Sequence, residues 1–148
     1  VQEVTTISAA ATEAWAAGWA AGLPLGSVVL LSADLGGGKT CFVRGLVRGL
    51  RGDPEEVNSP SFTLQQAYGV REGQLFHWDL YRLGPATDWG VLDLADHLAD
   101  SGNRVAVEWP ERYPGPWPEA GRVHTVRLEP VPDEPEHRRI RALPGIRV

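Results

Sequence analysis

Lysine occurs once in this chain, cysteine once and methionine never. Without methionine, no residue reads as a translation start. The lone thiol, Cys41, excludes an internal disulfide and suits a reducing compartment, so a cytoplasmic location is expected. No apolar run approaches the roughly 20 residues that a membrane-spanning helix needs, and no basic-then-apolar stretch precedes a cleavage site. Neither a membrane association nor a secretory leader is therefore expected. Positive charge is scarce too: a net charge of −5 and a pI near 5.3 argue against autonomous, non-specific binding of nucleic acid. Any RNA would have to be held by a partner. The four histidines, at 77, 97, 124 and 137, lack zinc-ligand spacing, and none is expected to hold a metal. No nucleophilic triad or internal repeat is evident. What remains is a chain of 148 residues, 43% hydrophobic, which excludes general disorder and suits one domain over residues 1–148.

The single lysine sits in Ser32-Ala33-Asp34-Leu35-Gly36-Gly37-Gly38-Lys39-Thr40, between the apolar run 28–31 and an apolar-periodic segment, 42–50. This is the pattern of a phosphate-binding loop. Glycines allow a tight turn whose N–H groups converge on phosphate oxygens, and the following helix adds the positive end of its dipole. Lys39 can then reach the β- and γ-phosphates, while the Thr40 hydroxyl is placed to ligate Mg²⁺. Backbone groups of Leu35, Gly36, Gly37, Gly38, Lys39, Thr40 and Cys41 are the expected nucleotide-binding set. The other 13 of the 14 basic residues are arginine, so the one ammonium stands where a compact cation fits a phosphate cradle. Ala33 occupies the usual first glycine of the pattern, which is tolerable if its φ is negative.

Along the chain, residues 4–7 suggest a short edge strand. Ser8 reads as the N-cap of an alanine-rich helix to about Ala21, with Trp15 and Trp19 on one face as packing residues. The second helix carries Arg44, Arg48 and Arg51 at spacings that put them on one face, by default a solvated one. Next come three hydroxyls, Ser59, Ser61 and Thr63, around Pro60; in a nucleotide-binding protein such a segment can act as a switch that meets Mg²⁺ or the γ-phosphate. Residues 62–68 and 74–81 read as an antiparallel hairpin, which leaves Asp79 at the end of a hydrophobic strand. A carboxylate there can bind Mg²⁺ or orient the attacking water. Residues 86–99 read as an amphipathic helix with Trp89, Leu92, Leu94, Ala95 and Leu98 as its apolar set. A buried strand then ends at Glu108, the second candidate for the metal or the water, since ligands gather beyond the carboxyl ends of strands in open α/β sheets. Trp109 and Pro110 are expected to cover the flank of the site. Two further strands, 123–128 and 137–143, are expected to pair, and the second brings an arginine cluster of 138, 139 and 141 without an assigned role.

The ordered motifs Asp34-Leu35-Gly36-Gly37-Gly38-Lys39-Thr40, Ser59-Pro60-Ser61-Phe62-Thr63-Leu64, His77-Trp78-Asp79-Leu80-Tyr81-Arg82-Leu83 and Val107-Glu108-Trp109-Pro110-Glu111 resemble those of the TsaE family. That family comprises small bacterial ATPases needed for threonylcarbamoyladenosine modification of tRNA position 37. The resemblance implies an α/β, P-loop NTPase-like fold, with a central, mostly parallel sheet, flanking helices and antiparallel hairpin additions. It implies ATP and Mg²⁺, and it implies the TsaD and TsaB proteins as partners, with tRNA met only through their complex. The choice of ATP over GTP rests on this resemblance alone. Two positions depart from the family pattern, Ala33 for glycine and Ser61 for threonine, the latter keeping its hydroxyl.

The expected chemistry is Mg²⁺-dependent ATP hydrolysis with Lys39, Asp79 and Glu108 as catalytic residues. Thr40 and one of the two carboxylates would hold the metal and the other would orient water; Arg82 is a possible phosphate or partner contact. No arginine finger stands in a motif that fixes it, so slow hydrolysis is expected without a partner. Two rival readings share the loop: a small-molecule kinase, for which so short a chain offers no evident lid or second substrate pocket, and a nucleotide-gated binding module with incidental hydrolysis.

Overall fold

A computed structural model describes residues 1–34, 36, 38–58 and 63–148. Seven strands form one sheet in the order β1-β7-β6-β2-β5-β4-β3. They are β1 (Gln2–Thr6), β2 (Val28–Ser32), β3 (Gln65–Gly69), β4 (Gln74–Asp79), β5 (Arg104–Glu108), β6 (Val123–Val131) and β7 (Glu134–Pro144). The middle four, β6, β2, β5 and β4, run parallel. Antiparallel partners close both sides: β3 on β4, and β7 then β1 on β6. This is the expected α/β arrangement, with hairpin additions at each edge.

The burial pattern follows from position. β2 and β5 lie between parallel neighbours with apolar layers on both faces, so Val28, Val29, Leu30 and Leu31 are all buried, as are Val105, Ala106 and Val107. On one face lie helices α1 (Ala9–Ala20) and α2 (Lys39–Gly49). Ser8 caps α1 as expected, its hydroxyl accepting from Ala11 N at 3.0 Å. Trp15 and Trp19 stack at 6.2 Å and both rest against Phe42 of α2. The two helices meet at backbone distance. A Cβ at Gly45 would collide with Ala16 Cβ and Glu13 O, and one at Gly49 with Ala17 O. The other face carries a second core, in which Leu94 and Leu98 of the short helix α3 (Leu94–Ala99) and Tyr113 pack on Val28, Leu30, Val105 and Val107.

Three expectations need correction. The 86–99 segment is not one helix: a 3-10 turn, Trp89–Val91, precedes α3, and Ala95 of the expected apolar set is exposed. Asp88 Oδ1 accepts from Gly90 N at 3.1 Å, and this local bond competes with helical pairing at a glycine of poor helix propensity. Arg51 does not share the α2 face with Arg44 and Arg48. The helix closes at Gly49, Gly52 N bonds back to Val47 O, and Arg51 takes a left-handed φ of 70°. The strand expected to reach Tyr81 stops at Asp79, whose side chain accepts from Tyr81 N and turns the chain.

Candidate nucleotide-binding site

The loop from β2 to α2 leaves the C-terminal end of the central strand, where parallel sheets gather ligands. Gly36 and Gly38 have φ of 77° and 95°, conformations that glycine adopts without steric cost. Ala33 is not among the described non-glycine residues with positive φ, so its methyl group is accommodated at the first position. Leu35 and Gly37 of the expected nucleotide-binding set lie outside the described residues, as do Ser59 and Ser61 of the switch-like segment; Thr63 is exposed. Among the described residues no side chain caps the N-terminus of α2, and no acidic residue stands in its first turn. Its leading N–H groups therefore await an anion rather than a neighbouring carboxylate.

Lys39 is buried, and its Nζ donates to Ala33 O at 3.1 Å. The ammonium also lies 4.7 Å from the centroid of the Trp109 ring. Trp109 follows β5 with a φ of 57°, unusual for so large a residue, and Pro110 opens a 3-10 turn behind it. The indole packs against Tyr81 at 5.0 Å, with the Arg112 guanidinium 5.8 Å from both rings. Trp109 thus covers the lysine from the side on which the carboxylates stand.

Those carboxylates come from two adjacent parallel strands in matched register: Leu31 of β2 pairs with Glu108 of β5, and Glu108 with Asp79 of β4. Sequence positions 39, 79 and 108 are so brought to one edge of the sheet. Both acids are buried, Glu108 at 3% and Asp79 at 9% exposure. Burial raises the pKa of Asp79 above its ordinary 3.8; the Tyr81 N–H opposes this, the Glu108 charge adds to it, and Lys39 and His77 oppose it. A cation beside such a carboxylate would relieve both burdens. Among the described residues no group of three or more His, Cys, Asp and Glu could hold a metal alone. The donors present, one hydroxyl and one or two carboxylates beside a phosphate loop, match the few protein ligands that Mg²⁺ commonly takes.

Two residues of the site escaped the sequence reading. His77, wholly buried, donates from Nε2 to Glu108 Oε2, while its Nδ1 has no hydrogen-bond partner among the described residues. Its signal was periodicity: His77 stands two before Asp79 on a strand, hence on the same face. Arg138 of β7 reaches the loop from the other side, its Nη2 donating to Gly36 O at 3.3 Å. Nothing local in the sequence marks it, since the contact joins residues a hundred positions apart. Arg82 is exposed at the turn after β4. Cys41, at the first turn of α2, donates its Sγ–H to Ala9 O at 2.8 Å. Burial, chiefly, with the Glu13 charge raises its pKa, so the thiol stays protonated.

Comparison with known proteins identifies the family. The family model for the threonylcarbamoyl adenosine biosynthesis protein TsaE matches residues 6–140. A Synechocystis protein named tRNA threonylcarbamoyladenosine biosynthesis protein TsaE is 44% identical over a match covering 70% of this chain and 67% of its own length. A Treponema pallidum protein of the same name is 41% identical, with 70% of this chain and 74% of its own length covered. The crystal structure of Bacillus subtilus YdiB superposes with a TM-score of 0.70 at 25% identity, covering 99% of this chain and 86% of that one.

Proposed function

The chain belongs to the TsaE family, which serves tRNA threonylcarbamoyladenosine biosynthesis, and from that premise we propose that it is a Mg²⁺-dependent ATPase acting on a complex of the TsaD and TsaB proteins. The observation that carries this reading is the convergence at one sheet edge of the only lysine, an uncapped helix N-terminus and two buried carboxylates.

In this mechanism the N–H groups of the loop and the first turn of α2 bind the phosphates, and Lys39 exchanges the Ala33 carbonyl for phosphate oxygens. Thr40, with Asp79 or Glu108, would hold the metal. Mg²⁺ bound there would neutralise charge on the β- and γ-phosphates during transfer to water. The second carboxylate orients that water. His77 fixes the Glu108 side chain through its hydrogen bond, so that rotamer freedom is lost before the substrate arrives. Trp109 and Tyr81 exclude bulk solvent from the lysine side.

Lys39→Ala should abolish both ATP binding and phosphate release while the protein still melts cooperatively. Wild-type turnover in that variant would refute the proposal. Release of free phosphate, with no phosphorylated acceptor, distinguishes it from a small-molecule kinase.

A further inference from the structure

The hydrogen bond from His77 Nε2 to Glu108 fixes only one end of the imidazole, because Nδ1 has no hydrogen-bond partner among the described residues. Histidines that serve a neighbouring group commonly take a second constraint from a bond at the other ring nitrogen. Here packing supplies it. Tyr68 of β3 is buried at 3% exposure, and its ring lies 6.1 Å from the His77 ring at an interplanar angle of 37°. The two residues are diagonal neighbours across the hairpin, since β3 and β4 pair Gln66 with His77 and Tyr68 with Leu75. The Tyr68 hydroxyl is engaged as donor and as acceptor: it donates to Gln66 Oε1, on the same face of β3, and accepts from the backbone N–H of Asn58. Asn58 follows Val57, which is buried in the same core as Tyr68 and whose carbonyl accepts from Arg44 Nη2 of α2 at 3.4 Å. Burial, chiefly, raises the Tyr68 pKa above its ordinary 10.0, so the hydroxyl keeps the proton it donates.

We propose that Tyr68 is a positioning residue of this site: it holds the His77 ring in the plane from which Nε2 meets Glu108, and so sets that carboxylate for the chemical step. A phenol tied at its far end cannot tilt, and the imidazole packed beside it is left with one orientation. Among the described residues no hydrogen bond joins Tyr68 to Glu108, so its effect passes through the imidazole. Phosphate affinity comes from the loop and Lys39, which Tyr68 leaves alone. Its loss therefore falls on kcat and not on KM. This inference rests on the ATPase reading above and adds to it a residue of the outermost strand.

The test measures steady-state ATP hydrolysis in wild type, Tyr68→Phe, His77→Gln and the double variant. Phenylalanine keeps the ring and removes only the hydroxyl. Tyr68→Phe should lower kcat about 3- to 10-fold, the range of an ordinary hydrogen bond, with KM within about twofold of wild type. In the His77→Gln background the same substitution should change kcat by less than about twofold, because the residue through which it acts is gone. Wild-type kcat in Tyr68→Phe, a rise in KM at unchanged kcat, or an equal fall in both backgrounds would each overturn the proposal. A second readout needs no turnover. In protein carrying isotopically labelled histidine, the Nε2 proton of His77 is identified by its absence from the His77→Gln spectrum. It should exchange with solvent at least about fivefold faster in Tyr68→Phe, while that variant still melts cooperatively. Gln66→Leu, which removes the acceptor and leaves Tyr68 in place, should also speed the exchange and gives the same reading should Tyr68→Phe fail to fold. Exchange at the wild-type rate in these variants would overturn the assignment. A wild type that does not hydrolyse ATP would sink the parent reading, whereas the exchange rates decide whether Tyr68 holds His77.

Discussion

Asp79 shows how one residue of the site sets function against stability. Its folded-state pKa lies above 3.8, raised first by burial. The unfolded chain therefore ionises first as pH rises, so the contribution of this group is full below about 3.8 and is lost as pH climbs through the folded value. At neutral pH its charge is a burden. Asp79→Asn, which keeps the acceptor for Tyr81 N, should melt at or above the wild-type temperature at pH 7.5 while ATP turnover falls about 100-fold or more. A lower melting temperature would contradict the burden. Glu108→Gln should likewise lose turnover, and titration of both variants with Mn²⁺ should show weakened metal affinity in one and not the other. The candidate positions could be named from sequence because motif chemistry is local: a glycine-rich loop before a helix and an acid at the end of an apolar strand announce themselves. His77 and Arg138 were not, because their roles come from pairings across strands and across most of the chain.

Among the elements, α1, α2 and the strands were legible from caps, apolar runs and turn residues, since each is built by its own sequence. α3 was not. Its apolar spacing is helical, yet Asp88 and Gly90 divert the backbone before it, a competition that spacing alone does not register. Besides the buried Leu94 and Leu98, His97 holds α3 down, stacked on Phe76 at 3.6 Å and accepting at Nδ1 from Trp78 Nε1 at 3.0 Å. Burial lowers its pKa below 6.5, against the upward pull of Asp93, Asp96 and Asp100. Because the unfolded chain then takes up the proton first, stability from neutral His97 is full above about 6.5 and is lost as pH falls through the folded value. The urea midpoint should drop between pH 7.5 and 5.5, and His97→Gln should flatten part of that slope; His124, shifted the same way by burial, supplies another part. The α1–α2 contact offers a sterner check. Gly45→Ala should destabilise the protein by about 1–3 kcal/mol, as overpacked interiors do, and a neutral result in chemical denaturation would mean the helices can move apart.

For the whole molecule, the site is an edge phenomenon: three parallel strands end together and a loop, two acids and an indole meet there. No arginine stands in a sequence motif that fixes it at the γ-phosphate, so hydrolysis by the isolated chain should be slow, and addition of the TsaD–TsaB complex should raise phosphate release at least tenfold. An unchanged rate would remove the partner from the mechanism. The sheet order has a bearing on synthesis as well. The second neighbour of β2 is β6, and β6 is in turn covered by β7, which then receives β1 from the opposite end of the chain. During synthesis the β5 and β4 flank of the candidate site can therefore assemble before the β6–β7 hairpin exists, whereas the opposite flank must await that hairpin.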